Sequence, residues 1–218
     1  MKKLIALFLV SVMLFSLTGC GVGEFFAMLG FDTHDYEGES VIGNHESDSE
    51  VATELTEMVK ILTLNTIDIP EFKGTTQAIE CCRDSVLNSM YSNNFAKYAG
   101  NPHLIGEAED IYPNMNFSVI IPADDFENTA YKYFGGKEKI TNESGEMFDY
   151  VEDMDAYITA ATPIDCKMTV NVISIEETEN TFRFKFQCSV DDELSDTYFA
   201  LIIKRGDDSL YFKYVKKI

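Results

Sequence analysis

The feature that most constrains the fold is the alternation of apolar and polar residues over Thr181 to Val190. Successive side chains of a β-strand point to opposite faces, so a period of two predicts a strand with one buried face and one polar face. The apolar positions are Phe182, Phe184, Phe186, Cys188 and Val190, and the polar positions are Arg183, Lys185, Gln187 and Ser189.

Neighbouring segments have the same period and are separated by short turn-forming stretches, which predicts an antiparallel meander. A weaker, acidic strand is expected before the meander, between Met147 and Thr159. The meander strands are predicted over Lys167 to Ile175, Thr181 to Val190, Thr197 to Lys204 and Ser209 to Val215, with turns at Glu176 to Asn180 and Arg205 to Asp208.

The alternation also assigns the two faces of this sheet. We expect the phenylalanines of the 181–190 strand to face the core together with Val170 and Val172. The residues expected to point outward are unusually apolar for a solvated face, so a second copy of the chain or the first helix is expected to cover them. These outward residues are Tyr198, Ala200, Ile202, Tyr211 and Val215.

Before the meander, apolar residues recur every three or four positions, which predicts helices. The first helix is expected to begin at a capping box formed by Ser47 and Glu50. A second, longer helix is expected from Thr76 to Tyr98, with Cys82 on its core-facing side.

A short strand at Phe117 to Ile121 and a third helix at Ala123 to Phe134 complete the pattern. Acidic Asp124 and Asp125 favour the positive end of that helix, and the glycines after Phe134 favour its end. The order predicts the α+β class, with N-terminal helices packed on one face of a curved antiparallel sheet.

The N-terminus has the order of a secretory signal peptide. Lys2 and Lys3 precede an apolar run from Leu4 to Phe15, which is too short to span a bilayer. The tetrapeptide Leu-Thr-Gly-Cys at residues 17–20 resembles the lipobox of bacterial lipoproteins. This resemblance implies a diacylglycerol on the thiol of Cys20, cleavage before it, and a location on the extracytoplasmic face of a bacterial membrane. The alternative is an exported protein with an unmodified cysteine near its cleavage site.

Three regions follow from these patterns: a signal peptide at 1–19, an acidic tether at 20–48 and a single α+β domain at 49–218. The tether contains seven carboxylates and no lysine or arginine, and like charges of this kind favour an extended linker.

The formal net charge of −20 restricts the partners. Phosphate backbones repel so acidic a chain, which argues against a nucleic-acid partner. Membrane attachment is therefore expected through the lipid on Cys20, and an envelope protein, a small apolar ligand or a second copy of the chain remains open as a partner.

The order of elements from Glu50 to Ile218 resembles the nuclear-transport-factor-like, or cystatin-like, cone fold. The segment from Ile121 to Gly135 is also similar to a recurrent feature of uncharacterised Gram-positive lipoproteins. Enzymes of the cone fold place an Asp/His or Asp/Arg set inside the cone, whereas the inward positions here are apolar. The resemblance therefore implies binding or assembly more than catalysis.

No catalytic residue, metal site or cofactor is predicted. His103 is expected to lie alone in the folded part; a thiolate pair with Cys81 or Cys82 is conceivable, but a small core residue is the preferred interpretation of Cys82. A metal site at His34 and His45 in the tether is disfavoured, because a flexible segment loses conformational entropy when it binds a metal. The carboxylate clusters at 149–155 and 191–196 are interpreted as solvated turns.

Cys166 and Cys188 form a candidate cross-strand pair. If the hairpin turn is centred near Glu177, antiparallel pairing places these two residues opposite each other and on one face. A disulfide and two reduced thiols both remain open.

The sequence therefore favours a lipid-anchored extracytoplasmic lipoprotein that acts as a non-catalytic binding or assembly module of the cell envelope. The alternative is a small cone-fold enzyme that acts on a hydrophobic substrate.

Overall fold

The computed structural model describes residues 36–64, 66–99, 106, 119–136, 140–165, 167–206 and 209–218. The predicted signal peptide and Cys20 lie outside these residues. Val41–Ile218 form one compact unit, and within the described ranges no helix is long and apolar enough to cross a membrane.

The described elements are mixed helices and strands in the N-terminal half and mainly strands after residue 149, which confirms the α+β class. In chain order they are β1 (Gly43–His45), α1 (Glu50–Lys60), β2 (Phe72–Lys73), α2 (Thr75–Asn93), α3 (Phe95–Tyr98), β3 (Val119–Pro122), α4 (Ala123–Phe134), β4 (Asp149–Val151), a 3₁₀ turn (Glu152–Met154), β5 (Ala156–Thr159), β6 (Thr169–Glu177), β7 (Thr181–Val190), β8 (Glu193–Leu194), β9 (Tyr198–Lys204) and β10 (Leu210–Lys217).

Within the described part of the chain, seven strands form the main sheet in the order β1-β6-β7-β9-β10-β2, with β8 beside β7. All of these pairings are antiparallel. The same residues include a separate sheet of β3, β5 and β4. The strand predicted between Met147 and Thr159 is therefore two strands, which the 3₁₀ turn and a left-handed Asp155 separate.

Helix α4 and strand β7 have the predicted bounds. In α4, Asp124 and Asp125 lie in the first turn, where the helix dipole favours carboxylates. The buried face of α4 is formed by Phe126, Ala130 and Phe134, at the spacing expected of one helical face.

The register between β6 and β7 differs from the predicted one. Cys188 lies opposite Val170, because the turn lies nearer the C-terminus than predicted. The amide of Thr178 donates to the carbonyl of Thr181 across 2.9 Å, and the two hydroxyls lie 2.7 Å apart, so this threonine pair closes the turn. Cys166 lies outside the described residues, and the register from which its pairing with Cys188 was predicted is wrong.

The predicted outward orientation is also wrong for Tyr198, Ala200, Ile202 and Val215. Ala200 lies opposite Phe184 and Ile202 lies opposite Phe182, so β9 presents these residues to the core. Residues directly opposite on neighbouring strands share a face, and the register therefore decides the assignment. The buried residues that were predicted to point outward are Tyr198, Ala200, Ile202 and Val215, and Tyr211 is half-buried.

Residues 43–45, which the sequence predicted to lie in an acidic tether, form β1 of the main sheet. His45 lies opposite Ile175, and its ring meets the ring of Phe182 edge to face at 5.7 Å. Its Nε2 lies 2.7 Å from Oε2 of Glu177, while Nζ of Lys204 lies 2.9 Å from Oε1. This carboxylate therefore joins three strands, β1, β6 and β9.

We expect Glu177→Gln to lower the free energy of unfolding by about 1–2 kcal/mol at pH 7, because the amide loses two charge-assisted contacts at a partly exposed site. The hydrogen bond from Lys204, followed by that from His45, lowers the pKa of Glu177. A lowered folded-state pKa stabilises the fold above the unfolded-state pKa, and this stabilisation is lost as the pH falls through the folded value.

The difference between wild type and variant should therefore narrow below about pH 4 in urea unfolding curves. Glu179→Gln is the matched control, since it removes an exposed carboxylate from the same hairpin. Equal losses in the two variants would contradict a structural role for Glu177.

The first two helices begin and end differently from the prediction. Ser49, not Ser47, caps α1: its hydroxyl accepts from the amide of Ala52 and donates to the carbonyl of Glu46. The predicted second helix is interrupted at Asn94, where φ is −134°. Asparagine side chains compete for backbone hydrogen bonds, and Nδ2 of Asn94 donates to the carbonyl of Met90.

Candidate functional site

Two concave regions meet at Arg83 of α2. A cavity of about 70 Å³ lies on one side, and a cleft of about 610 Å³ lies on the other. Glu80 and Arg83 line both regions, so one turn of α2 forms the wall between them. We call this combined feature, the cavity and the cleft on either side of Arg83, the Arg83 site.

The helical geometry explains why the cavity forms near the start of α2. Thr76, Ile79, Glu80 and Arg83 recur at intervals of three and four residues and therefore share one face of the helix. Long side chains on a helix lean toward its N-terminus, so the guanidinium of Arg83 extends toward the preceding turn. The N-cap, Gly74, has φ +86° and provides no side-chain hydrogen bond.

Arg83 is the unusual residue of this site. It is 8% exposed, and its Nη2 donates to the carbonyl of Thr141 at 3.3 Å. Its buried Nε has no hydrogen-bond partner among the described residues, where no carboxylate forms an ion pair with this side chain. Burying an ionised group without a counter-charge is unfavourable, so this guanidinium requires a compensating acceptor.

The rim of the cavity has the opposite charge. Glu80 and Glu143 line it, and both side chains are exposed. Two buried isoleucines, Ile79 and Ile140, form the apolar part of the lining. The cavity therefore combines a cationic interior with an anionic entrance.

Asp84, the next residue on α2, fixes the loop that borders the cleft. Its Oδ2 accepts hydrogen bonds from the amides of Glu146, at 2.6 Å, and Met147, at 3.1 Å. Its Oδ1 is buried and has no hydrogen-bond partner in the described part of the chain, since it packs against Gly145. Asp84 is therefore committed to positioning the loop.

Cys81 lines the cleft, and the buried Cys82 follows it on α2. Their sulfur atoms lie 3.7 Å apart; Cys82 is fully buried in the core, as predicted, while Cys81 is exposed. The hydrogen bond from the Cys82 thiol lowers the pKa of Cys81, and the same bond together with burial raises the pKa of Cys82. His103, the partner that the sequence offered for a thiolate, lies outside the described residues.

A second groove, of about 560 Å³, lies farther along α2 and has a structural explanation. The side-chain amide of Asn88 donates to the carbonyl of Ile164 at 3.0 Å and accepts from its amide at 2.9 Å. These two bonds attach the loop that precedes β6 to α2. The side-chain amide of Asn88 thus has a donor and an acceptor within the protein, unlike Nε of Arg83.

Of the other predicted site residues, those within the described ranges do not line the Arg83 site. Cys20, His34 and Cys166 lie outside the described residues, and His45 is held by Glu177 at the edge of the main sheet. Across the described ranges, no group of three or more His, Cys, Asp and Glu side chains is placed to hold a metal ion.

Sequence reasoning missed Arg83, although a signal for it exists. Ile79, Arg83, Val86 and Met90 follow helical spacing, so the arginine occupies a position on the apolar stripe of α2. A cation on a buried stripe indicates either an ion pair or a ligand site.

Comparisons of the chain with models of protein families, with curated proteins and with solved structures find no match.

Proposed function

We propose that this protein is a lipid-anchored extracytoplasmic lipoprotein whose α+β domain is a non-catalytic module that binds a small ligand in the bacterial cell envelope. The order of residues 1–20 supports the anchor and the location. The Arg83 site supports the binding role.

The observation that carries the binding role is the buried guanidinium of Arg83 without a charge partner. An acceptor group on a bound ligand would compensate this buried charge. A small apolar ligand was one of the partners that the sequence left open, but a site that contains the guanidinium of Arg83 and two carboxylates favours a polar ligand.

A cone-like fold is part of the same proposal. Bulges interrupt β6 between Val172 and Ser174 and β10 between Phe212 and Tyr214. Bulges bend the strands that contain them, which supports a curved main sheet around a helical layer.

Cys20→Ala should release the protein from the membrane fraction and abolish metabolic labelling with a radioactive fatty acid, because the thiol would carry the diacylglycerol. Fractionation and labelling of cells that express the full chain measure both effects. Cys81→Ala is the matched control and should remain labelled. A Cys20→Ala variant that stays with membranes after a high-salt wash would contradict the anchor.

Binding is tested separately, by the thermal unfolding of the full chain in mild detergent with a panel of small carboxylates, phosphates and amino acids. A ligand that binds the folded state raises the melting temperature. At least one compound of the panel should raise the melting temperature of the wild type and leave that of Arg83→Gln unchanged. If a compound raises the melting temperature of both proteins equally, Arg83 does not contribute to its binding.

One observation favours the alternative, a cone-fold enzyme. Glu80 and Glu143 line the same cavity, and paired carboxylates can act as a general acid and base. A carboxyl group that acts as a general acid at neutral pH is usually kept in an apolar surrounding, whereas both of these side chains are exposed. The binding role therefore remains our first proposal.

A further inference from the structure

We propose that the cavity of about 70 Å³ binds a small zwitterion of the α-amino-acid type, with its carboxylate on Arg83 and its ammonium group between Glu80 and Glu143. This inference rests on the proposed binding function and names the class of ligand for it.

The carboxylate position follows from Arg83 and from the N-terminal end of α2, which both border the cavity. Arg83 lines the cavity, and a guanidinium can offer two parallel N–H donors to one carboxylate. The cavity also borders Thr75 and Thr76, the first residues of the 19-residue helix α2. The positive end of the helix dipole favours an anion at this position.

The ammonium position follows from the rim. Glu80 and Glu143 would repel a simple anion, in a chain whose net charge is −20. Arg83 would repel a simple cation. A ligand with both charges, a few ångströms apart, satisfies the interior and the rim at once.

The size of the cavity selects a ligand with few heavy atoms. A volume of about 70 Å³ is several times what one water molecule needs, which is about 10–15 Å³. It is well below the roughly 300–1,000 Å³ of sites for drug-sized molecules. The apolar walls at Ile79 and Ile140 suit a hydrogen or a methyl group on the central carbon of the ligand.

The test uses the full chain in detergent and three probes of similar size. L-alanine carries both charges, propionate lacks the ammonium group and ethylamine lacks the carboxylate. Titration calorimetry should show saturable binding of L-alanine, with propionate and ethylamine at least about 10-fold weaker, because each lacks a charge-assisted contact. Glycine and L-serine extend the panel to neighbouring sizes.

Variants separate the two ends of the ligand. Arg83→Gln should abolish the binding of L-alanine, whereas Glu80→Gln and Glu143→Gln should each weaken it by about 10-fold and strengthen that of propionate. Glu179→Gln, an exposed carboxylate in the hairpin between β6 and β7, is the control and should leave all affinities unchanged. Without ligand, Arg83→Gln should melt no lower than the wild type, since it removes an uncompensated buried charge.

Each result bears on the proposal in a defined way. If propionate or phosphate binds as tightly as L-alanine and requires Arg83, the zwitterion inference is wrong and the proposed binding function stands. If the wild type binds none of the three amino acids at millimolar concentration, the inference is overturned, and the wider panel then decides the proposed function. If Arg83→Gln fails to fold, the glutamate variants and the three probes on the wild type still decide.

Discussion

Gly135→Ala should lower the free energy of unfolding by about 2–5 kcal/mol, because the substitution adds backbone strain and a steric overlap. Gly135 follows α4 with φ +70° and ψ −160°, a backbone conformation that is essentially restricted to glycine. A Cβ built there would lie 2.6 Å from two ring carbons of Tyr211. That ring cannot move away freely, since the guanidinium of Arg205 lies 4.6 Å from its centre and donates to the carbonyl of Tyr131 on α4.

Urea unfolding of the full chain in detergent measures this loss as a shift of the midpoint at constant slope. Gly206→Ala is the matched control, since a Cβ there meets nothing within 4 Å and the backbone does not require glycine. It should change stability by less than about 0.5 kcal/mol. A Gly135→Ala protein as stable as this control would show that Tyr211 and α4 do not pack as described.

The bounds of α4 and β7 could be predicted because several local signals agree at their ends. Asp124 and Asp125 favour the helix start, the glycines after Phe134 end it, and the apolar period fits each element. These signals come from residues close in the chain, so no tertiary information is needed. Elements of this kind are the ones that sequence reasoning places well.

The register between β6 and β7 could not be predicted, because it depends on where two residues of the turn form their hydrogen bonds. Thr178 and Thr181 close the turn with backbone and hydroxyl bonds, and a bulge at Val172 shifts the pairing again. Neither feature leaves a distinct mark on the alternation. A change of turn position by two residues moved Cys188 away from position 166 and onto Val170.

The faces of β9 were assigned wrongly for a related reason. Its residues from Tyr198 to Ile203 are all apolar, so the alternation that defines β7 is missing. Pairing with β7 decides the faces: Ala200 lies opposite Phe184 and therefore in the core. In a strand whose residues are all apolar, the pairing with neighbouring strands decides which side chains face the core.

Arg83 was missed because spacing cannot show whether a buried cation has a partner. The apolar stripe of α2 predicts that this residue points inward. Its surroundings are formed by the loop around Thr141, which is far away in the sequence, and no described carboxylate there pairs with its Nε. The same holds for Asp84, whose role follows from the amides of Glu146 and Met147. A site that depends on long-range contacts of this kind cannot be recognised from the spacing of residues in the sequence.

Gly145→Ala is expected to lower the free energy of unfolding by about 2–3 kcal/mol, through its effect on Asp84. A Cβ on Gly145 would overlap the carboxylate of Asp84, whose Oδ1 is buried against this glycine. To avoid the overlap the carboxylate must turn away and give up its hydrogen bonds from the amides of Glu146 and Met147. The loop that borders the Arg83 site would then detach from α2.

A double-mutant cycle with Asp84→Ala isolates this mechanism from other effects of the new methyl group. In the Asp84→Ala background the overlap is gone, so adding Gly145→Ala should change stability by less than about 0.5 kcal/mol, a coupling of about 2 kcal/mol. Asp149→Ala, which removes an exposed carboxylate from nearby β4, provides the control background and should leave the full effect of Gly145→Ala in place. Urea unfolding curves of the six proteins give all of these differences. If the loss caused by Gly145→Ala is the same in both backgrounds, Asp84 does not hold this loop through the contacts described.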